Sequence, residues 1–269
     1  LQILLDTGKD ADWVGSAAIV IEAVISAVGC MAWVIWELTD RHPVVDLSLF
    51  RHRNFAFGTV AFCLGYAVFF ANVLLLPLWL QTNVGYTATW AGLVAAPSGA
   101  VAVILTPMAA RVMTKVDARI MATLAFIAFA VSYFMRADYT QDASFWNFVM
   151  PMLVQGAAMS TFFVSMITIS LDGIPPERIP AASGISNFTR ITAGGFAASI
   201  ATTLWDRREA LHQSRLADFT SDYSPVFNQA LSAMQGLGFS DMAAKAALTH
   251  NMVSQAYLRA SIDIFGVSA

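Results

Sequence analysis

The sequence has little charge. Of its 269 residues only 12% are Asp, Glu, Lys or Arg, whereas a soluble domain carries about 25%. Hydrophobic residues make up 57% of the chain, and the mean hydropathy is +0.62. This composition excludes an ordinary soluble domain and indicates an integral membrane protein. The formal net charge of −3 is too small to indicate a nucleic-acid partner.

Cysteines and recognisable catalytic motifs are scarce as well. Cys30 and Cys63 both lie in apolar runs, so we expect small core residues and no disulfide or metal site. No Gly-x-x-x-x-Gly-Lys-Ser/Thr loop occurs, which argues against an ATP-driven pump. No metal-ligand cluster and no nucleophile with a nearby base stands out. The sequence therefore gives no reason to expect an enzyme or a bound cofactor.

Long apolar runs are what the chain does have. A membrane-spanning helix needs about 20 mostly apolar residues. Stretches of suitable length lie at 15–36, 56–80, 90–110, 118–136, 145–170 and 180–205. They are far too long for barrel strands. The sequence predicts an all-α, polytopic bundle of transmembrane helices.

The short loops between these spans differ in basic residues, which sets the orientation. One alternate set is basic, and it holds Arg41, Arg51, Arg53, Arg111, Lys115, Arg119 and Arg178. The opposite set holds only Lys9 and Arg136. The basic set is therefore predicted to be cytoplasmic, and the span at 180–205 to run outward.

The chain changes character after Trp205. Residues 206–261 are polar with helical periodicity, which predicts an external helical loop. Within it, Ser224 and Pro225 look like an N-cap and the first residue of a helix. The segment 262–269 begins like a further span but is too short to cross a bilayer. Both ends look cut, so we expect a piece of a larger membrane protein.

The stretch from Leu74 to Ala100 carries an ordered string of special residues. Pro77 and Pro97 can kink helices, and Gly92 belongs to a small-residue face for close helix packing. The string consists of Pro77, Leu80, Gln81, Gly85, Tyr86, Ala91, Gly92 and Pro97. It resembles the start of the C-terminal half of fourteen-span drug:proton antiporters of the major facilitator superfamily, the EmrB/QacA type. The resemblance extends along essentially the whole chain.

That resemblance implies a division of the chain. Residues 1–55 would hold an outer loop, one linker helix and a cytoplasmic linker. Residues 56–205 would hold five helices of the C-terminal half of a major facilitator fold. The external helical loop at 206–261 and the start of a truncated last span at 262–269 would follow.

The segment "TPMAARVMTKVDAR" resembles a degenerate second copy of the superfamily's cytoplasmic loop motif. Its candidate conformational residues are Arg111, Lys115, Asp117 and Arg119. Such a loop can hold two helices together through charge pairs and helix-end dipoles. Ala110 and Thr114 stand where the motif has glycine and an acidic residue. The alternative is that these basic residues are a positive-inside anchor.

The span at 145–170 offers two cavity candidates. Gln155 is a polar residue near its middle, and Met159 belongs to a methionine stripe. Such a stripe serves either a helix-packing seam or a promiscuous pocket. Asn72, in the span at 56–80, is a further cavity candidate.

The span at 180–205 contains Arg190, which costs about 3 kcal/mol at the centre of a membrane helix. Ser183, Asn187, Arg190 and Gly194 recur at helical spacing, so they share one face that should line the bundle interior or a cavity. Gly194 and Gly195 would allow close approach of a neighbouring helix. Two interpretations stay open. The stripe contacts substrate, or Arg190 braces two spans through helix-end carbonyls or Asp172.

Carboxylates are almost absent from the predicted spans, and Glu22 is the exception. The resemblance implies that the proton-coupling carboxylates lie in the N-terminal half. It further implies a proton-coupled multidrug efflux transporter of the inner membrane, working by alternating access with the proton gradient and no cofactor. The implied partners are hydrophobic drugs, lipids, the N-terminal half, a periplasmic adaptor and an outer-membrane channel. The alternatives are a narrow-substrate exporter of the same superfamily and a non-transporting membrane enzyme or receptor fragment.

Overall fold

The computed structural model describes residues 17–39, 46–140, 143–217 and 224–269. Eight α-helices and two short 3₁₀ turns make up the regular structure of these residues. The helices are α1 (Ala17–Thr39), α2 (Arg53–Thr82), α3 (Ala88–Met113), α4 (Ala118–Ala137), α5 (Phe145–Leu171), α6 (Ile179–Ala217), α7 (Pro225–Gly236) and α8 (Asp241–Ser268). By length and composition, α1 to α5 are apolar enough to cross a membrane. The predicted all-α polytopic bundle is confirmed.

Helix boundaries follow local sequence signals. The Thr87 hydroxyl accepts a hydrogen bond from the Trp90 amide at 3.4 Å, and the Asp117 carboxylate accepts one from the Arg119 amide at 2.8 Å. Gly85, with φ of +80°, supplies the left-handed residue for the turn between α2 and α3. Ser224 caps α7 ahead of Pro225, as the sequence predicts.

The bundle is organised around α5, which packs against α3, α4 and α2. A second layer pairs α2 with α6, and α8 lies against both α6 and α4. The aromatic rings of Phe62, Phe129 and Phe162 fill one core region, while Trp79, Phe148 and Phe265 belong to another. The first helix, α1, is exposed along almost its whole length within the described residues.

Two helices cross predicted domain boundaries. The predicted boundary at 205/206 falls inside α6, which is 39 residues long, and the boundary at 261/262 falls inside α8. Neither junction contains a glycine or proline, so nothing in the local sequence ends the helix there. The C-terminal part of α8 belongs to the bundle, because Leu258 and Phe265 are buried in it.

The expected small-residue face at Gly92 is not a packing seam among the described helices. A Cβ atom placed at Gly92 or Gly99 would meet nothing within 4 Å. The close approach of α3 and α5 occurs instead at Gly156, where a Cβ atom would lie 2.4 Å from the carbonyl oxygen of Ser98. Pro77 and Pro97 lie inside helices that continue through them.

Residues predicted to be cytoplasmic do meet at one end of the bundle. The Arg178 guanidinium donates to the Asp46 carboxylate and to Ser48. Hydrogen bonds from Ser48 and Arg178 hold the pKa of Asp46 below its usual value. Asn54 Nδ2 donates to Asp172 Oδ2 at 3.1 Å on the same side. Lys9 and Arg41 lie outside the described residues.

Candidate functional site

The polar stripe of α6 lines a cavity. Ser183, Asn187 and Arg190 border a space of about 430 Å³ between α6, α2 and α5. The helical spacing brings the three side chains to one wall, since residues separated by about one turn share a face. Ser183 and Asn187 are exposed and Arg190 is half-buried, so all three are accessible from this space.

The opposite wall is aromatic and holds the arginine. The Arg190 guanidinium lies 4.4 Å from the ring centroid of Tyr66 and 5.4 Å from those of Phe62 and Phe163. Its Nη2 also donates to Asn187 Oδ1 at 2.5 Å. Cation–π contact with three faces compensates part of the lost hydration of the charge. The site is therefore an aromatic cavity with one fixed positive charge.

Asp172 is not the partner of Arg190. Its carboxylate accepts from Asn54 instead, so the Asp172 form of the brace interpretation is wrong. The close approach at Gly194 supports the aromatic arrangement, because a Cβ atom there would lie 2.7 Å from Cε1 of Tyr66. Gly195 follows it as a half-buried residue. A small residue at 194 lets the Tyr66 ring lie directly against α6 beneath Arg190.

Three other cavity candidates lie away from this space. Gln155 is 1% exposed and Asn72 is 0% exposed. Asn72 Nδ2 donates to Val68 O at 2.8 Å and to Ser268 Oγ at 3.0 Å. Met159 packs against the core region of Phe62 and Phe162. None of these three predicted cavity residues lines the space at Arg190. Asn72 and Gln155 instead join helices, and Met159 belongs to the core.

Arg136 is a fully buried cation among the residues that the structure describes. Arg136 lies in the last turn of α4 and is 0% exposed. Its guanidinium donates to Gln155 Oε1 and, at 3.3 Å, to Ser132 Oγ. It lies over the rings of Tyr133 and Phe265. Among the residues that the structure describes, no carboxylate pairs with it. Arg136 is the last residue of the predicted span at 118–136, and counting it with the outer loops is wrong, because its long side chain folds back into the bundle.

The charged residues at the α3–α4 loop are exposed. Arg111, Lys115, Asp117 and Arg119 all have exposed side chains, and none forms an ion pair with another described residue. Asp117 acts as the N-cap of α4. This arrangement fits a positive-inside anchor as well as it fits a loop whose partners lie elsewhere.

The chain matches a known protein family over most of its length. Residues 11–199 match the Major Facilitator Superfamily. The chain belongs to this superfamily. The helical bundle, with its cavity between facing helices, is therefore part of a major facilitator fold, and the protein is a multi-pass protein of the inner (cytoplasmic) membrane.

Several curated relatives share this major facilitator sequence at high identity. The Multidrug export protein EmrB of Escherichia coli K12 is 41% identical over 270 residues, covering 100% of this chain and 53% of the relative. EmrB of Haemophilus influenzae is 40% identical with the same coverage. The Fatty acid resistance protein FarB of Neisseria gonorrhoeae is 38% identical over 98% of this chain and 52% of the relative. The chain thus spans about half the length of these relatives, and the predicted EmrB-like resemblance is confirmed.

Proposed function

We propose that this chain forms the C-terminal half of a proton-coupled multidrug efflux transporter. The complete protein would exchange protons for hydrophobic or amphipathic compounds across the inner membrane. Transport would proceed by alternating access, with two halves rocking about a site near the membrane midplane. The energy source is the proton gradient, and no cofactor is part of the proposal.

The observation that carries this proposal is the cavity at Arg190. It has an aromatic wall of Phe62 and Phe163 and a polar wall of Ser183, Asn187 and Arg190, whose guanidinium lies against Tyr66. Mostly apolar walls with a few placed polar groups are the usual composition of small-molecule sites. The cavity opens on the surface of this bundle, where a second half of the transporter would enclose it.

A narrow-substrate exporter of the same superfamily is the second candidate. One relative is named for fatty acid resistance, whereas others are named for multidrug export. Arg190 is a fixed cation, so the cavity suits a compound with an anionic or polar end and an apolar body. The cavity could therefore serve an exporter of one such compound as well as an exporter of many.

The remaining partners of the proposal are membrane lipid, the N-terminal half, a periplasmic adaptor and an outer-membrane channel. Helix α7 and the first half of α8 belong to the segment predicted to be external, and Ser254 Oγ of α8 donates to the backbone oxygen of Asn83 at the end of α2. Leu237 and Met242 there are 79% and 82% exposed. We place adaptor contact on this end.

The test of the proposed function is drug resistance of cells that carry the full-length transporter with Arg190→Ala. We expect resistance to fall while the amount of protein in the membrane stays the same. Arg207→Ala is the matched control, because Arg207 lies on the same helix with an exposed side chain and does not line the cavity. Unchanged resistance in Arg190→Ala would refute a substrate role for this cavity.

A further inference from the structure

A group of three charged or titratable side chains joins the outer end of α6 to α8. His212 Nε2 lies 2.8 Å from Asp263 Oδ2, and Arg208 Nη1 donates to the same oxygen at 3.3 Å. Both α6 residues thus converge on one carboxylate of the other helix. This group is called the outer triad below.

The position of Asp263 is fixed by packing on either side of it. Trp205 Nε1 donates to Ser261 Oγ at 2.9 Å, and Phe265 is 1% exposed in the core. The helix segment that carries Asp263 is therefore held against α6 by a buried hydrogen bond and a buried ring. All three residues of the outer triad lie in helices, so no loop conformation determines the contact.

The outer triad borders an apolar cavity of about 320 Å³. Arg208 and Asp263 form its polar edge, and the other walls include Val68, Leu204 and Ile264. The side chain of Asp263 is 34% exposed and that of His212 is 12% exposed. The carboxylate thus stands between water and an apolar space in the bundle.

The charges of the triad balance only while the imidazole is neutral. Arg208 carries +1 and Asp263 carries −1, so a neutral His212 leaves a net charge of zero. Histidine is the side chain whose charge typically changes between about pH 5 and 8. Two groups in hydrogen-bond contact bind a proton as a pair. One proton added to the pair gives the triad a net charge of +1.

Several other charged side chains lie on the helices that carry the outer triad. On α6 they are Asp206, Arg207, Glu209 and Arg215, and on α8 the nearest is Arg259. Burial, followed by the neighbouring Asp206, raises the pKa of Glu209. Helix α7 and the part of α2 that lines the cavity carry no charge. Arg136 of α4 is enclosed with Gln155.

From this geometry we propose that His212 and Asp263 form a proton-binding site on the outer side of the transporter. A proton from external water binds the imidazole at Nδ1, and the bond between Nε2 and Asp263 becomes an ion pair. The proton then passes on to the carboxylates that proton coupling requires in the N-terminal half, and the imidazole returns to neutral. Arg208 is a positioning residue that holds the carboxylate. The proposal rests on the proposed proton-coupled exchange and adds a coupling site within this chain.

The decisive experiment compares two modes of transport in proteoliposomes that contain the full-length protein. Drug counterflow exchanges drug for drug and needs no net proton movement, whereas uptake driven by a pH gradient does. We expect His212→Gln and Asp263→Asn to lose gradient-driven uptake and to retain counterflow. Asp263→Glu should restore part of the gradient-driven uptake. His250→Gln, a histidine on α8 outside the triad, should retain both modes.

Two results would overturn the proposed proton site. The first is wild-type gradient-driven uptake in both His212→Gln and Asp263→Asn. The second comes from proton titration of histidine side chains by NMR in the wild-type protein, with His212→Gln to assign the signal. A His212 signal that does not move between about pH 5 and 8 would refute the site even if a variant fails to fold. An absence of counterflow in the wild type would instead refute the proposed exporter function.

Discussion

Arg136 and Arg190 both lie within the helical bundle, and their surroundings differ in solvent access and in partners. Arg190 is half-buried beside a cavity and rests on three aromatic rings, with Asn187 as its hydrogen-bond partner. Arg136 is fully buried, touches two rings and donates to Gln155 and Ser132. An accessible cation can exchange its partners for a ligand, whereas an enclosed one cannot without opening the bundle. This difference is why we propose the substrate site at Arg190, whereas Arg136 joins helices of the bundle.

The largest effect is expected from Arg136→Ala. The change leaves a void between α4, α5 and α8 and removes the donor to Gln155. Large-to-small changes in a core cost about 2–5 kcal/mol of the free energy of unfolding, and an orphaned acceptor adds to this. The measurement is the thermal midpoint of the purified full-length protein. Arg119→Ala, exposed at the start of the same helix, is the control and should change stability by less than about 0.5 kcal/mol.

A second substitution separates the volume of Arg136 from its charge. Because apolar replacement of buried charges is often neutral or stabilising, Arg136→Met should keep most of the stability that Arg136→Ala loses. Arg190→Ala should lose less stability than Arg136→Ala, since its side chain is only half-buried. Equal thermal midpoints for Arg136→Ala and Arg190→Ala would show that the two arginines contribute equally to stability, against the contrast drawn here.

A smaller effect is expected from adding one methyl group at Gly156 or at Gly194. At Gly156, next to Gln155, a Cβ atom would lie 2.4 Å from the backbone oxygen of Ser98, whereas at Gly194 it would lie 2.7 Å from the Tyr66 ring. A ring can move, but a helix backbone cannot without shifting the whole helix. Gly156→Ala should therefore lower stability by about 1–3 kcal/mol, and Gly194→Ala should mainly lower drug transport.

Gly92→Ala is the control for both glycine variants. Nothing lies within 4 Å of a Cβ atom at this position, and alanine favours a helix over glycine by about 1 kcal/mol. We expect equal or slightly higher thermal stability and unchanged transport. A loss of stability at Gly92→Ala as large as at Gly156→Ala would show that α3 packs differently from the structure.

The smallest effect concerns Arg178, a half-buried arginine that does have a carboxylate partner. Ser48 and Arg178 hold the pKa of Asp46 below its ordinary value of 3.8. The contact therefore stabilises the fold at every pH above that ordinary value, and the contribution is lost as the pH falls through the lowered pKa. The thermal midpoint at acidic pH should fall slightly more in the wild type than in Asp46→Asn. Identical pH profiles would show that this contact contributes nothing.

Sequence reasoning could predict the fold and the Arg190 cavity because both depend on periodic patterns. Apolar runs of sufficient length give α1 to α5, and helical spacing places Ser183, Asn187 and Arg190 on one wall. These patterns are local along a single helix. The sequence could not supply the opposite wall, because Tyr66 and Phe163 come from two other helices and look like ordinary apolar residues of a span.

The place of Arg136 could not be predicted for a different reason. It stands at the end of an apolar run, where arginine usually turns outward to water. Its burial depends on α8, because Phe265 of that helix lies under the guanidinium. From the sequence alone, residues 262–269 look like the start of a truncated span and not like part of a packed helix. The outer triad was missed for the same reason, because Asp263 meets His212 only when α8 packs on α6.

The central claim is that the Arg190 cavity binds the transported compound. The most direct test is alkylation of Asn187→Cys in the full-length transporter, with the native cysteines replaced, in the presence of increasing drug. We expect drug to slow the reaction at Asn187→Cys with a concentration dependence equal to that of drug binding. Ile191→Cys, exposed on another face of the same helix, should react at the same rate with and without drug. Equal rates at Asn187→Cys with and without saturating drug would contradict the claim.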